Sequence, residues 1–446
     1  MAPNPTLYKT VEQLGYRVTV GDVAAQAGLE INTAQQGVLA LAADAGAHLQ
    51  VSEGGDIAYV FPKDFRSVIR NKYWRIRLEE IWQKVWGVLF YLIRISFGII
   101  LIISILLMLV AILAAVIAIY SSGGDRDNNG GGGGGNSRSG GGGFIFFPRF
   151  WIGDLFWFFN PRAQRQQRQR RRQISGQASG EENKLNFLEA VYSFLFGDGN
   201  PNADLDERRW RDMATVIRQH KGAVTGEQIA PYCDRLSATQ LEDEDFMLPV
   251  LARFDGYPQV SESGDIIYHF PQLQVTAKQT AVQPVEPYLK EHLWRFSSAT
   301  TGQVIMSIGL GSVNIILALV LYSLMQNPEV AIATTGYLAF IQSIYGILLG
   351  YGIAFLSIPL LRHFWNQWRN PKIVARNEQR QSRTQALMQP DSQLQRKLAY
   401  AQKFATTTAV SDQDLAYTTE TDVLTQNLEN ADKIDQEWQR RLESGS

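Results

Sequence analysis

The sequence predicts an α+β protein with membrane helices: two winged helix-turn-helix-like modules, about three transmembrane helices and a short aromatic re-entrant or interfacial segment. Three observations predict it. Three long apolar runs carry no charge, one twelve-residue element occurs twice, and each copy closes a helix–helix–hairpin pattern. The totals hide this division. The 446 residues are 45% hydrophobic and 19% charged, with a net charge of −1. Those averages describe a soluble globular protein, because the apolar residues are concentrated in a few stretches.

The runs are Ile95–Tyr120, Val304–Met325 and Val330–Leu361, of 26, 22 and 32 residues. A helix of roughly 20 apolar residues crosses a bilayer core. No basic region followed by a short apolar stretch opens the chain, so no cleaved signal peptide is expected. Only Gln326-Asn327-Pro328-Glu329 joins the second and third runs, which makes them an antiparallel hairpin. Basic residues follow the third run (Arg362, Arg369, Lys372, Arg376, Arg380, Arg383) and precede the first (Lys63 through Lys84). By the positive-inside rule both ends face the cytoplasm or its equivalent. One crossing between two cytoplasmic ends needs a return. Phe144–Phe159 is the candidate, with nine aromatic residues in 16 and Arg149 and Asp154 within it. The basic patch Arg162, Arg165, Arg168, Arg170, Arg171 and Arg172 follows, as a stop-transfer anchor or a docking patch for anionic lipid. Residues 121–143 are Gly-rich and lack the Lys and spacing of a phosphate loop, so they read as a linker. Within the spans, Asn314 is placed to hydrogen-bond across helices, and Gly346 and Gly350 form a GxxxG packing pair. Arg94 stands at the edge of the first run, where it can snorkel.

The repeat is VSEGGDIAYVFP at 51–62 and VSESGDIIYHFP at 260–271, identical at nine of twelve positions. Upstream, VTVGDVA at 18–24 matches VTGEQIA at 224–230. Thr19 and Thr225 stand where N-caps belong. In the first copy Gly28 breaks the chain, and a second helix begins near Asn32, with Asn32 or Thr33 as cap and Val38, Leu39 and Leu41 turned inward. Leu49 and Val51, the Gly54-Gly55 turn, then Ile57, Tyr59 and Phe61 alternate as a β-hairpin does. Modules at 1–62 and 185–275 result. Between them lie a basic linker and first span at 63–120 and the aromatic and Arg-rich segment at 144–172. Spans at 304–325 and 330–361 and a helical tail at 373–446 complete the chain.

Winged helices often bind DNA, and charge argues against it here. Residues 18–62 hold no Lys or Arg and five carboxylates, and 223–271 hold two arginines against nine. Phosphate neutralisation dominates DNA affinity, so protein–protein contact is expected and nucleic acid is not. Asp56 and Asp265 recur at matching hairpin positions and read as turn residues. Cys233 is the one cysteine and reads as an inert buried thiol; His269 reads as a packing residue on the wing. No catalytic constellation, metal spacing or cofactor motif is present, so no enzyme is expected. In the tail, Leu424, Leu428, Ala431, Ile434, Trp438 and Leu442 form an apolar stripe for docking or self-association.

At the duplicated VSExGDIxYxFP element and at FIFFPRFWIGDLFWFFNPR, the chain resembles an uncharacterised family of cyanobacterial and plastid membrane proteins. The resemblance implies a photosynthetic host and a thylakoid or plasma membrane. Plastid members have been labelled as iron–sulfur cluster biosynthesis proteins. A single cysteine departs from what a cluster scaffold needs, so that activity is not carried over. The expected function is a membrane-anchored scaffold or assembly factor; the alternatives are a membrane-tethered transcription regulator and a transporter accessory subunit.

Overall fold

The computed structural model describes residues 5–72, 74–122, 185–234, 236–278, 284–328, 330, 336–411 and 415–429, with single positions beyond. The aromatic segment 144–159, Arg162 to Arg172 and nearly all of the Gly-rich tract lie outside the described residues.

In chain order the elements are α1 (Pro5–Gln13), β1 (Arg17–Val18), α2 (Val20–Ala27), α3 (Ile31–Ala45), β2 (His48–Ser52), β3 (Ile57–Val60), α4 (Phe65–Lys72) and α5 (Trp74–Ser122). After the undescribed stretch come α6 (Phe187–Phe196), α7 (Leu205–Gln219), β4 (Ala223–Val224), α8 (Gly226–Ile229), α9 (Ala238–Asp243), α10 (Leu248–Phe254), β5 (Tyr257–Val260) and β6 (Ile266–His269). α11 (Pro271–Gln274), β7 (Val275–Thr276), α12 (Thr301–Met325), α13 (Tyr337–Met388), α14 (Ser392–Gln402), β8 (Thr408–Ala409), β9 (Leu415–Thr418) and α15 (Val423–Glu429) follow. The chain divides into two compact units. One comprises Met1–Lys84, Asn200–Leu293 and Asn370–Ser446; the other comprises Val85–Gly199 and Trp294–Arg369. Residues 185–199 therefore join the apolar helices, and the segment expected as a module from 185 divides at Gly199.

In the first unit, the order helix, short strand, helix, helix, hairpin occurs in residues 5–60 and again in 205–269, with more broken helices the second time. The Thr19 hydroxyl accepts from Asp22 N at 3.1 Å and Asp22 Oδ2 accepts from Thr19 N at 3.0 Å, a reciprocal cap that starts α2. Gly28 ends α2 at φ +64°, a conformation open to glycine. α3 begins one residue earlier than expected: Glu30 is its N-cap without a side-chain bond, and Asn32 and Thr33 lie in its first turn. Val38 and Leu41 are fully buried, whereas Leu39 points outward at 54% exposure. One hydrophobic cluster takes in Val23, Leu41, Tyr59 and Phe61 from the first segment and Met213, Ile217, Phe254, Tyr268 and Phe270 from the second.

The two hairpins share their turn. Ser52 N donates to Asp56 O and Ser261 N to Asp265 O, both at 2.9 Å, and each serine hydroxyl accepts from the following aspartate N at 3.0 Å. They differ in their neighbours. The first sheet runs β1-β3-β2-β9, so a strand of the C-terminal tail extends it; the second runs β4-β6-β5.

The second unit holds the helices long and apolar enough to cross a membrane, Thr301–Met325 and most of Ile81–Ser121, and the start of Tyr337–Met388. Met108 and Ala111 pack with Ala318, Leu321 and Ile341; Leu101, Val191, Phe194, Leu195 and Phe355 form a second cluster around α6. Asn314 is fully buried, and its Nδ2 donates across to Ser104 Oγ. The close helix approach falls at Gly311 and Gly352, in place of the expected Gly346 and Gly350. A Cβ at Gly352 would overlap Asn314 Oδ1, and one at Gly311 would stand 2.6 Å from Phe355 Cδ1, whereas Gly346 and Gly350 face open space. Gly352→Ala should therefore cost about 1–3 kcal/mol through overpacking, and Gly346→Ala should stay within about 0.5 kcal/mol. Thermal denaturation of the purified chain in detergent checks the pair.

Candidate functional site

The first unit carries its polar chemistry in three buried charge clusters. Asp22, on α2, is 5% exposed. Beyond its own cap it accepts from Ala277 N at 2.8 Å and Thr276 Oγ1 at 3.1 Å, and it pairs with Arg218 of α7. Gly21 beside it permits this approach, since a Cβ would overlap the Gln272 carbonyl. The Arg253 guanidinium reaches back to Gly28 O at 2.6 Å and lies 4.4 Å from the Trp210 ring centroid.

The second cluster centres on Arg380, 1% exposed. Its guanidinium donates to Glu291 Oε1 at 2.8 Å, Asp234 Oδ1 at 3.0 Å, Leu289 O at 3.0 Å and Cys233 O at 3.1 Å. Arg376 holds Glu291 from the other side, donating at 2.7 Å, and Arg209 forks onto Asp234 at 2.7 and 2.8 Å. Burial pushes the Glu291 carboxyl up, but the Arg376 and Arg380 guanidinia more than offset it and hold it below its ordinary value. Arg383 caps Ala230 O and Asp234 O, and Thr384 donates to Pro287 O.

The third cluster docks α14. Lys397 donates to Glu227 at 2.8 Å and Glu244 at 2.7 Å, and Tyr268 OH donates to Glu244 at 2.7 Å. Burial lowers the Lys397 ammonium, and the two glutamates raise it above its ordinary value. A cavity of about 430 Å³ beside it is lined by Glu242, Asp391, Gln389 and Lys397 among others. Further along the tail, β9 pairs antiparallel with β2, with Gln50 opposite Thr418 and Val51 opposite Tyr417.

These clusters revise the charge reading. Asp22, Asp44, Glu227, Asp234, Glu244 and Asp265 have basic partners at Arg218, Lys72, Lys397, Arg209, Arg380 and Arg396, all outside the windows that looked acidic. Likewise Arg376, Arg380 and Arg383, expected as topogenic charge, are engaged inside the unit. The tail stripe is not packed where it is described: Leu424, Trp438 and Leu442 are 62–72% exposed, and Gln426 is the buried contact of α15. Sequence reasoning missed Arg380, Lys397 and β9. Among the described residues no His, Cys, Asp and Glu group has metal-site geometry. Cys233 is buried, and burial pushes its thiol up to about 12. His269 accepts no metal-like company: its Nε2 lies 3.1 Å from Gln274 Oε1 and its ring 5.8 Å from Phe404.

Three outcomes are expected. Glu291→Gln leaves Arg380 buried with only the exposed Asp234 carboxylate as counter-charge and should cost about 3 kcal/mol, read as a lowered melting temperature. Because the folded Glu291 value lies below 4.5, its contribution is complete above that pH and is lost as pH falls through the folded value. Lys397 behaves oppositely: its contribution is complete below 10.5 and is lost as pH rises through its raised folded value. A pH series on the Glu291→Gln and Lys397→Met variants separates the two. Cys233 should resist a thiol reagent at pH 8 in the folded chain and react at the ordinary rate once denatured; absorbance of the released chromophore reads this directly.

No family model matches the chain, and no solved structure matches it. Among curated proteins it is similar to the Arabidopsis thaliana protein described as "Uncharacterized protein At5g03900, chloroplastic", at 37% identity over 447 residues, covering 97% of this chain and 80% of the relative. With apolar helices of membrane-spanning length and alignment along nearly its whole length, the chain belongs to the same protein family as that chloroplastic Arabidopsis protein.

Proposed function

We propose that this chain is a membrane-anchored scaffold or assembly factor in a plastid or other photosynthetic membrane, with two winged-helix modules derived from a duplication that contact protein partners. The repeated element order, the shared hairpin hydrogen bonds and the nine identities support duplication. In a winged-helix reading α3 is the recognition helix. The observation that carries the protein-contact reading is its outer face: Asn32, Thr33, Gln35, Gln36, Leu39, Ala40 and Ala43 are exposed, and none is charged. A helix that reads DNA presents basic and amide groups among phosphate-binding cations, and this one has no cation. An exposed face without charge and with a leucine at its centre suits a protein surface. Membrane anchoring raises the effective concentration of the modules near membrane partners.

Co-purification after mild detergent tests the reading. The chain should elute in a complex much larger than 50.1 kDa plus its micelle, and Leu39→Asp should release it without lowering the melting temperature. Elution of the unmodified chain alone in several gentle detergents overturns the scaffold reading. Salt-sensitive DNA retention would favour the tethered regulator instead. Sidedness follows from single cysteines at Glu53, Asn128 and Glu262 on a Cys233-free background, labelled from outside sealed vesicles. Positions 53 and 262 should share one side and 128 the other.

A further inference from the structure

The apolar stretch of α5 runs from Val85 to Tyr120, 36 residues with Arg94 as the one charge. At about 1.5 Å per residue that is about 54 Å, well beyond a hydrocarbon core of about 30 Å. The surplus precedes Arg94. Val85, Trp86, Val88, Leu89, Phe90, Tyr91, Leu92 and Ile93 are each 41–61% exposed, so this collar is apolar all round the helix. Within the same unit Trp365 and Trp368 are exposed on α13, after Arg362, and the Arg369 guanidinium stands 4.4 Å over the Trp294 ring. Tryptophans of this kind mark the headgroup level. Arg94 lies eight residues inside Trp86, and Arg362 lies three and six residues inside Trp365 and Trp368. Residues 95–120 alone span about 39 Å, enough for the core, so Arg94 stands at its boundary on the belt side, within side-chain reach of the headgroup phosphates.

Their surroundings differ. Arg362 is held by backbone through both terminal nitrogens, with only its Nε left without a partner: Nη1 donates to Ser193 O at 3.2 Å, Nη2 to Phe194 O at 2.9 Å and to Phe296 O, and the Phe296 ring lies 4.7 Å away. Asp198 Oδ2 accepts from Ser193 Oγ at 2.9 Å, Ser298 N at 2.8 Å and Ser298 Oγ at 2.7 Å. Arg94 donates no hydrogen bond to any described residue. Its nearest carboxylate oxygen is Asp198 Oδ1 at 3.6 Å, its guanidinium lies 5.7 Å from the Tyr192 centroid, and its Nε is buried without a partner. Two cations against one carboxylate leave the cluster at net +1. A guanidinium with its donors unused is costly at this depth, and a phosphate oxygen is the acceptor a leaflet offers there.

We propose that Arg94, with Arg362 and Asp198 behind it, forms a binding site for the phosphate of an anionic lipid headgroup. Arg94 donates to the phosphate; Asp198 orients Arg94; Arg362 supplies the uncompensated charge. The proposal does not draw on the arginines at 162–172. It rests on the membrane reading of the chain and not on the scaffold role, so a chain that fractionates with membranes but shows no lipid preference fails this inference alone.

The test uses the full chain in detergent, doped with phosphatidylglycerol or phosphatidylcholine, with lipid retention read by native mass spectrometry and stability by thermal denaturation. Phosphatidylglycerol should be retained preferentially and raise the melting temperature. Arg94→Gln should weaken that preference about tenfold, the worth of a charged hydrogen bond. Arg94→Lys should keep most of it, and the sixfold Arg→Gln variant at 162, 165, 168, 170, 171 and 172 should keep it too. Equal retention of the two lipids by the unmodified chain overturns the proposal. So does equal loss in Arg94→Lys and Arg94→Gln, loss in the sixfold variant alone, or an equal melting shift with millimolar sodium phosphate and no lipid.

Discussion

Arg380 sets a condition that much of the first unit is built to satisfy. An unpaired guanidinium at 1% exposure is prohibitively costly, so every group around it has to be held in place. Glu291 supplies the buried charge, Asp234 a second carboxylate from the surface, and two backbone carbonyls, Leu289 O and Cys233 O, take further donors. Those carbonyls belong to chain without regular structure. Residues 284–293 form no helix or strand, so their buried carbonyls need partners from elsewhere. The final turns of α13 supply them, through Arg380, Thr384 and, on the neighbouring Ala230 and Asp234 carbonyls, Arg383. The helix and the irregular segment are each incomplete without the other.

The same accounting applies at the sheet edges. β2 would expose an open row of donors and acceptors, and β9 covers it. β9 then becomes the edge, and Gln426 closes it: its side chain accepts from Thr418 N at 3.1 Å and donates to Thr418 O at 2.6 Å. On β5, Pro258 has no N–H to offer and Tyr400 OH donates to Val260 O at 3.1 Å. Two hairpins of nearly identical sequence thus end in different ways, one by an added strand and one by a proline and a tyrosine. The tail supplies β9, Gln426 and Tyr400, so its structural work lies in strand and amide contacts more than in the apolar stripe.

Local signals were legible in the sequence where a feature depends on near neighbours. The Thr19 cap, the hairpin turns and the apolar helices follow from residues a few positions apart. Val38 and Leu41 follow from helical period, and Leu39 fails for the same reason, since its neighbours occupy the inward face. The GxxxG pair at Gly346 and Gly350 was a local pattern, whereas close packing depends on what stands opposite, and between α12 and α13 it is Gly311 and Gly352 that face the other helix closely. The charge clusters were illegible for a plainer reason. Arg380 and Glu291 are 89 residues apart, Lys397 and Glu227 170, and Asp22 and Arg218 196. No window of sequence holds both members.

That distance changes what net charge can be used to argue. Counted over residues 18–62 and 223–271, the hairpin-bearing segments look strongly acidic. Counted over contacts, six of those carboxylates are matched by cations from α4, α7, α13 and α14. Among the described residues, the carboxylates without an ion pair are Glu30, Glu53 and Asp56 in the first segment and Glu242, Asp243, Asp245, Asp255 and Glu262 in the second. The exposed residues of α3 carry no charge; its one carboxylate, Asp44, is half-buried and paired with Lys72. The case against a nucleic-acid surface therefore does not rest on repulsion by an acidic domain, much of which is neutralised. It rests on the absence of any cation among the exposed residues of α3 itself; the cation the fold brings to this helix, Lys72, is paired with Asp44 in its last turn.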